Sequence, residues 1–416
     1  MLITLYCEDG NIMRAYERLI KYAQVYTTSA EDVEASPTTE RQFDLANMLC
    51  EELRALGVED AFVSGKCCVY GHIPATPGHE GKPTLGLIAH MDTSPDMSGE
   101  NVRPRLIPNY DGGDVELGHG RTLSVSQFPH LAGLAGRTLI VAGGDTLLGA
   151  DDKAGIAEIM TLIEQLQASG EPHARLAVCF TPDEEVGRGT EGFDMELFGA
   201  DTAYTVDGGP EGEITCENFN ASSAEVDFKG VNVHTGSAKG IMVNAALVAM
   251  EFNSMLPAGD IPRLTEEREG FYHLMSVNGD CAEACSKYLL RDHDAAKLAM
   301  RGELMLHAAK CLNEKYGDGT VTVKLHNGYR NMLDKILPDH AGLIENAKLA
   351  AKQAGVEPFM CVTRGGTDGA ILSWEGLPCP NLGTGGYAFH GPYEHITVEG
   401  MDKCVEILRN IVALNA

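Results

Sequence analysis

The chain has 416 residues and carries 32 basic against 60 acidic side chains, for a formal net charge of −28. That length exceeds the size at which one hydrophobic core usually stops growing, so two domains are expected, and the acidic surplus argues against nucleic acid or an anionic membrane as partner. Apolar residues make up 44%, which argues against wholesale disorder, and the lack of any apolar run of about 18 residues argues against a membrane span.

The start, "MLITLYCEDGNIMRAYERLIKYAQVYTTS", lacks a basic stretch followed by an apolar one, so no secretion signal is expected there. A first helix is placed around Arg14, Tyr16, Leu19 and Ile20. Twelve cysteines are scattered without a CxxC pair. They read as free, mostly buried thiols in a reducing cytoplasm.

Three short apolar runs then turn abruptly polar: "TLGLIAHMD" (84–92), "RLAVCFTPDEE" (175–185) and "TAYTVDGG" (202–209). Continuous apolar runs of this length suit strands buried on both faces of a parallel sheet. Between the first two lies "AGIAEIMTLIEQLQASG" (154–170), where Ile156, Ile159, Met160, Ile163 and Leu166 recur at helical spacing before a glycine stop. The alternation predicts an α/β layer with a mostly parallel central sheet. Ligands of such sheets sit beyond the carboxyl ends of the strands, where all three polar endings fall.

From about Cys216 to Asn327 the pattern changes to strand, helix, strand, strand, helix, strand. That order is the split βαβ arrangement of a ferredoxin-like domain. Residues 216–327 are therefore read as an insertion, and 1–215 with 328–416 as the α/β domain, closing in a helix near Val405 to Leu414.

The acids and histidines at strand ends and glycine-rich turns are His90 and Asp92 ("AHMDT"), Asp151 ("LLGADDKAG"), Glu184 and Glu185 ("PDEEVG"), Asp207 ("TVDGG") and His390 ("GYAFHGP"). Each alone fits a turn, a helix cap or a solvated loop. Gathered at one sheet edge they would form an anionic pocket without a positive partner. Two divalent cations resolve that conflict, because carboxylate and imidazole are good zinc ligands. Three ligand carboxylates and a bridging hydroxide match the charge of two zinc ions. Glu184 is then left to move protons, as hydrolysis by a metal-activated water requires.

The segments "AHMDTSPD", "TLLGADDKAGIAEI", "FTPDEEVGRG", "YTVDGG", "RGGTDGA" and "GGYAFHGPYEH" resemble, in order and across essentially the whole chain, the M20 metallopeptidase family and its aminotripeptidases in particular. The resemblance implies that Asp151 bridges two zinc ions, with His90 and Asp207 completing one metal and Glu185 and His390 the other. Glu184 would be the general base and acid, and Asp92 would orient the His90 ring. His234 ("NVHTGSAKG") would polarise the scissile carbonyl, often from the partner subunit. Asn244, Arg291 and Arg364 would meet the terminal carboxylate of the substrate, with structural salt bridges as the competing role for the two arginines. The family fold implied is a zinc-peptidase α/β domain interrupted by a ferredoxin-like lid that mediates homodimerisation. The activity implied is removal of the N-terminal residue from tripeptides. A dipeptidase or an N-acyl amino acid deacylase on the same scaffold is the alternative, since the metal ligands fix amide hydrolysis but not the substrate.

Overall fold

The computed structural model describes residues 12–416, so the first eleven residues of the stretch read as lacking a signal lie outside the described residues. The chain forms two compact units: residues up to 216 with 334–361 and 367–416, and residues 217–333 with 362–366. Among the described residues no helix is long and apolar enough to cross a membrane.

In the larger unit the three apolar runs are strands Leu85–His90, Leu176–Thr181 and Thr202–Gly208. The first pairs in parallel with both others, with His90 level with Thr181. Leu85–His90 and Leu176–Thr181 are buried at every position, which explains their unbroken apolar sequence. They lie within an eight-stranded sheet that also holds Val69–Ile73 and Asn381–Gly383. Asn381–Gly383 pairs in parallel with Thr202–Gly208, while Val69–Ile73 is antiparallel to its neighbour.

The helix Ala150–Ser169 ends at Gly170, whose φ of +63° forms the left-handed cap. Its Gly155 packs directly on the sheet: a Cβ there would fall 1.9 Å from the Val206 carbonyl oxygen. Only glycine permits that approach, and it draws the helix start bearing Asp151 toward the strand bearing Asp207. The closing helix, Val398–Leu414, starts earlier than the sequence suggests because Thr397 caps it by accepting the Gly400 amide.

The smaller unit has the expected order: strand Asn220–Lys229, helix Ala245–Ser254, strands Phe271–Gly279 and Glu283–Asp292, helix Ala295–Tyr316, strand Val321–Asn327. All sheet pairings are antiparallel, and Asn220–Lys229 lies between Glu283–Asp292 and Val321–Asn327. Val226, Phe228, Phe252, Leu290 and Met305 form its core beneath the two helices.

Candidate metal centre

The site lies at the carboxyl ends of the parallel strands. Buried acids hold two of its turns. After Leu176–Thr181 the chain turns at Asp183, whose φ is +58°. Its carboxylate accepts the Thr38 amide at 2.7 Å and the Gln42 side-chain amide at 2.7 Å. This fixes the short helical turn Glu184–Val186, so that the amides of Glu184 and Glu185 point at Asp92 and donate to it at 3.0 and 3.2 Å. Asp92 also faces the His90 ring, with Nδ1 at 3.3 Å from its Oδ1. One carboxylate therefore orients the imidazole and both glutamates together.

His90 presents Nε2 to Asp151 Oδ1 at 3.0 Å and to Asp207 Oδ1 at 3.4 Å. On the other side of Asp151, His390 Nε2 stands 3.1 Å from Oδ2 and 2.9 Å from Glu185 Oε2. Asp151 thus lies between two imidazoles, one on each carboxylate oxygen. Two sets of ligand atoms, His90 with Asp151 and Glu185, and His90 with Glu184 and Asp207, each fall within 4.8 Å of one another. Glu184 therefore stands within ligating reach as well as within reach of a proton-transfer role. His390 itself sits at φ +62°, a conformation that costs a non-glycine residue energy and recurs at functional sites.

The electrostatics record the crowding. Burial pushes Glu185 up to about 7, with Asp151 adding to the rise. Burial raises Asp207 to about 6 against the opposing pull of His90. Glu184 lies well above the usual carboxylate range, through burial and then the nearby Asp207. Burial would raise Asp151 too, but hydrogen bonds from His390 and His90 hold it below its ordinary value. His390 keeps its proton up to about 11 because Asp151 and Glu185 both bond to it. Among the described residues no lysine or arginine pairs with Asp151, Glu184, Glu185 or Asp207. Partly buried carboxylates that share only imidazoles fit divalent cations, whose charge would replace the protons now held there.

Three buried acids escape a reading from sequence. Asp368 is buried, accepts the Thr181 hydroxyl at 2.9 Å and is raised by burial to about 7. Asp183 acts as described above. Glu394 accepts backbone amides of the loop that carries Asp151, and burial pushes it up to about 7 against the lowering effect of those amides. The "RGGTDGA" and "GPYEH" segments hold two of the three, but only the fold reveals their partners.

The remaining expected residues belong to the smaller unit. His234 is exposed, and its Nδ1 accepts the Gly236 amide at 3.2 Å, so a neutral ring carries its proton on Nε2. Asn244 caps the helix Ala245–Ser254 by accepting the Leu247 amide. Arg291 donates through Nε to the Tyr329 hydroxyl at 3.1 Å and through Nη1 to the carbonyls of Ser222 and Leu290. Arg364 donates to the carbonyls of Glu267 and Glu269 and to the Thr265 hydroxyl, over the rings of Phe219 and Phe271. These bonds run to carbonyls and hydroxyls, and neither arginine forms a salt bridge among the described residues.

Comparison with known proteins gives the family and the fold. The family model for peptidase family M20/M25/M40 matches residues 148–414, and the chain belongs to that family. It is a metallopeptidase with a catalytic-type α/β fold and an inserted second unit. Its relatives include a Clostridium perfringens (strain 13) protein named peptidase T, 49% identical over 404 residues, 97% of this chain and 99% of that one. The fold is also that of the aminopeptidase PepT from Bacillus cereus, at 24% identity and a TM-score of 0.76 over 97% of this chain and 98% of that one. A tripeptidase from Staphylococcus aureus is similar to the same degree, with 20% identity and a TM-score of 0.77 over the same shares of the two chains.

Proposed function

We propose that this protein removes the N-terminal residue from tripeptides with two zinc ions held by His90, Asp151, Glu185, Asp207 and His390. The observation that carries the reading is Asp151 facing two imidazoles, one on each oxygen, inside a partly buried set of acids that no lysine or arginine among the described residues pairs with. The peptidase T relatives and the tripeptidase of the same fold support the substrate class.

When bound, the metal pair supplies Lewis-acid chemistry, which acidifies water and polarises a carbonyl. The protein's own groups do the rest. Glu184, its carboxylate raised by burial, takes the proton from the attacking water and returns it to the leaving amine. Asp92 fixes the His90 ring and the backbone of both glutamates, so the base is held where the water is activated. His234 donates Nε2–H to the carbonyl oxygen as charge develops on it, from its own chain or from the second copy of a homodimer. Asn244, Arg291 and Arg364 are assigned to the terminal carboxylate. Each arginine also donates to two carbonyls and a hydroxyl, so a structural role is the competing one for both.

The larger unit is assigned catalysis and the smaller one the lid and the dimer contact. Met275 and Val277, 55% and 53% exposed on the edge strand Phe271–Gly279, favour that contact. Free cysteines among the described residues fit a cytoplasmic protein. Comparing Ala-Ala-Ala with Ala-Ala and N-acetyl-alanine tests the substrate. Turnover of the tripeptide well above the other two is expected, and preference for either of them would support the dipeptidase or deacylase instead.

A further inference from the structure

We propose that Glu394 is a positioning residue that fixes Asp151 between the two imidazoles and so sets how the two metal positions are coupled. The proposal rests on the metal reading above. Glu394 is 2% exposed. Its Oε2 accepts the amides of Leu148 at 2.7 Å and Gly149 at 2.8 Å, and its Oε1 accepts the amide of Asp151 at 3.0 Å. Three amides of one turn therefore converge on one anion.

These donors stand at and just ahead of the start of the helix Ala150–Ser169, where backbone N–H groups lack partners within the helix. A cap normally comes from the adjacent residue. Here it comes from 243 positions away in the sequence. Gly149 turns the loop at φ +77°, and a side chain there would be strained and would press on Thr93. Because an aspartate side chain is short, the placement of the Asp151 backbone decides where its two oxygens fall.

Glu394 lies four residues after His390, and its own amide bonds the carbonyl of Gly391 at 3.3 Å. One carboxylate thereby ties the loop of His390 to the loop of Asp151, the two residues whose facing atoms are 3.1 Å apart. A residue that only stabilised the fold would change the melting temperature and leave the metals alike. A positioning residue changes one metal relative to the other.

The test is Glu394→Gln, which keeps the size but sets an NH2 group against an amide donor. Zinc affinities are measured by competition with a chromophoric chelator on wild type and variant together. The expected result is a loss of about 10- to 100-fold for the weaker zinc ion, a changed visible spectrum in the cobalt-loaded form, and a lower kcat at unchanged KM. Partial recovery in Glu394→Asp, which keeps the anion, is also expected. Two ions bound equally well by wild type and Glu394→Gln would overturn the proposal. Wild type that takes up no metal pair would instead overturn the reading beneath it. Should Glu394→Gln not fold, hydrogen exchange in the metal-free wild type decides. Protected amides at Leu148, Gly149 and Asp151 support the proposal, and exchange at open-loop rates contradicts it.

Discussion

On the sheet of the smaller unit, Glu225 and Asp227 stand on one strand with the Lys324 amine 2.9 and 2.8 Å away. At the edge of the parallel sheet, Asp151 and Asp207 face the imidazole of His90, and Asp151 and Glu185 face that of His390. Both places satisfy the distance condition for a metal site, since Glu225, Asp227 and Cys285 also have ligand atoms within 4.8 Å of one another. Proximity of acids is therefore not what marks the centre. The smaller unit repeatedly pairs its acids with bases: Arg301 joins Asp260 at 2.7 Å and Asp292 at 3.0 Å, and Arg268 meets Glu217 at 2.6 Å. Among the described residues no lysine or arginine pairs with the partly buried Asp151, Glu185 and Asp207 of the sheet edge, a cost that a bound cation or a proton relieves.

The largest expected effect of breaking this contrast is at Glu184. Glu184→Gln should lower kcat by about 10²- to 10⁴-fold while zinc analysis still finds two ions. Loss of a metal ion with most activity retained would make Glu184 a ligand, the role its distance to His90 and Asp207 also permits. Next is Asp92→Asn, which removes the anion facing the His90 ring and two backbone amides. Metal affinity should fall by about 10- to 100-fold, as read by chelator competition.

A smaller, continuous effect concerns pH. Without metal, His390 holds its proton up to about 11, Glu185 up to about 7 and Asp207 up to about 6. Zinc binds the deprotonated forms, so binding releases protons and the affinity rises with pH. Calorimetry in buffers of different ionisation enthalpy should show net proton release, with tighter binding at about pH 8 than at about pH 6. The smallest effect is at the contrasting pair. Asp227→Asn should leave the metal count and turnover unchanged, because Lys324 already balances that cluster.

The contrast also explains what could be read from sequence. The strands Leu85–His90, Leu176–Thr181 and Thr202–Gly208 are legible because a strand buried on both faces is apolar until it leaves the sheet. The βαββαβ order of the smaller unit was legible for the complementary reason that its helices and strands have different hydrophobic periods. Helices Gln42–Ala55 and Leu333–Gln353 lack so plain a mark, and the second carries Pro338 inside it, which weakens a helical pattern. Asp183, Asp368 and Glu394 looked like ordinary loop acids. Their roles depend on partners 141, 187 and 243 positions away, which no local pattern encodes. Arg291 and Arg364 read as carboxylate binders from the family resemblance and the forked guanidinium, with structural salt bridges as the competing role. Their bonds to hydroxyls and carbonyls appear only once the chain is folded.

The most direct measurement is metal content by mass spectrometry on purified protein, taken with tripeptide hydrolysis before and after exhaustive chelation. Two equivalents of zinc per chain are expected, with activity lost on chelation and restored by adding the metal back. Protein that never takes up two equivalents, or that cleaves as fast once stripped, would show that the clustered acids and imidazoles serve some other end.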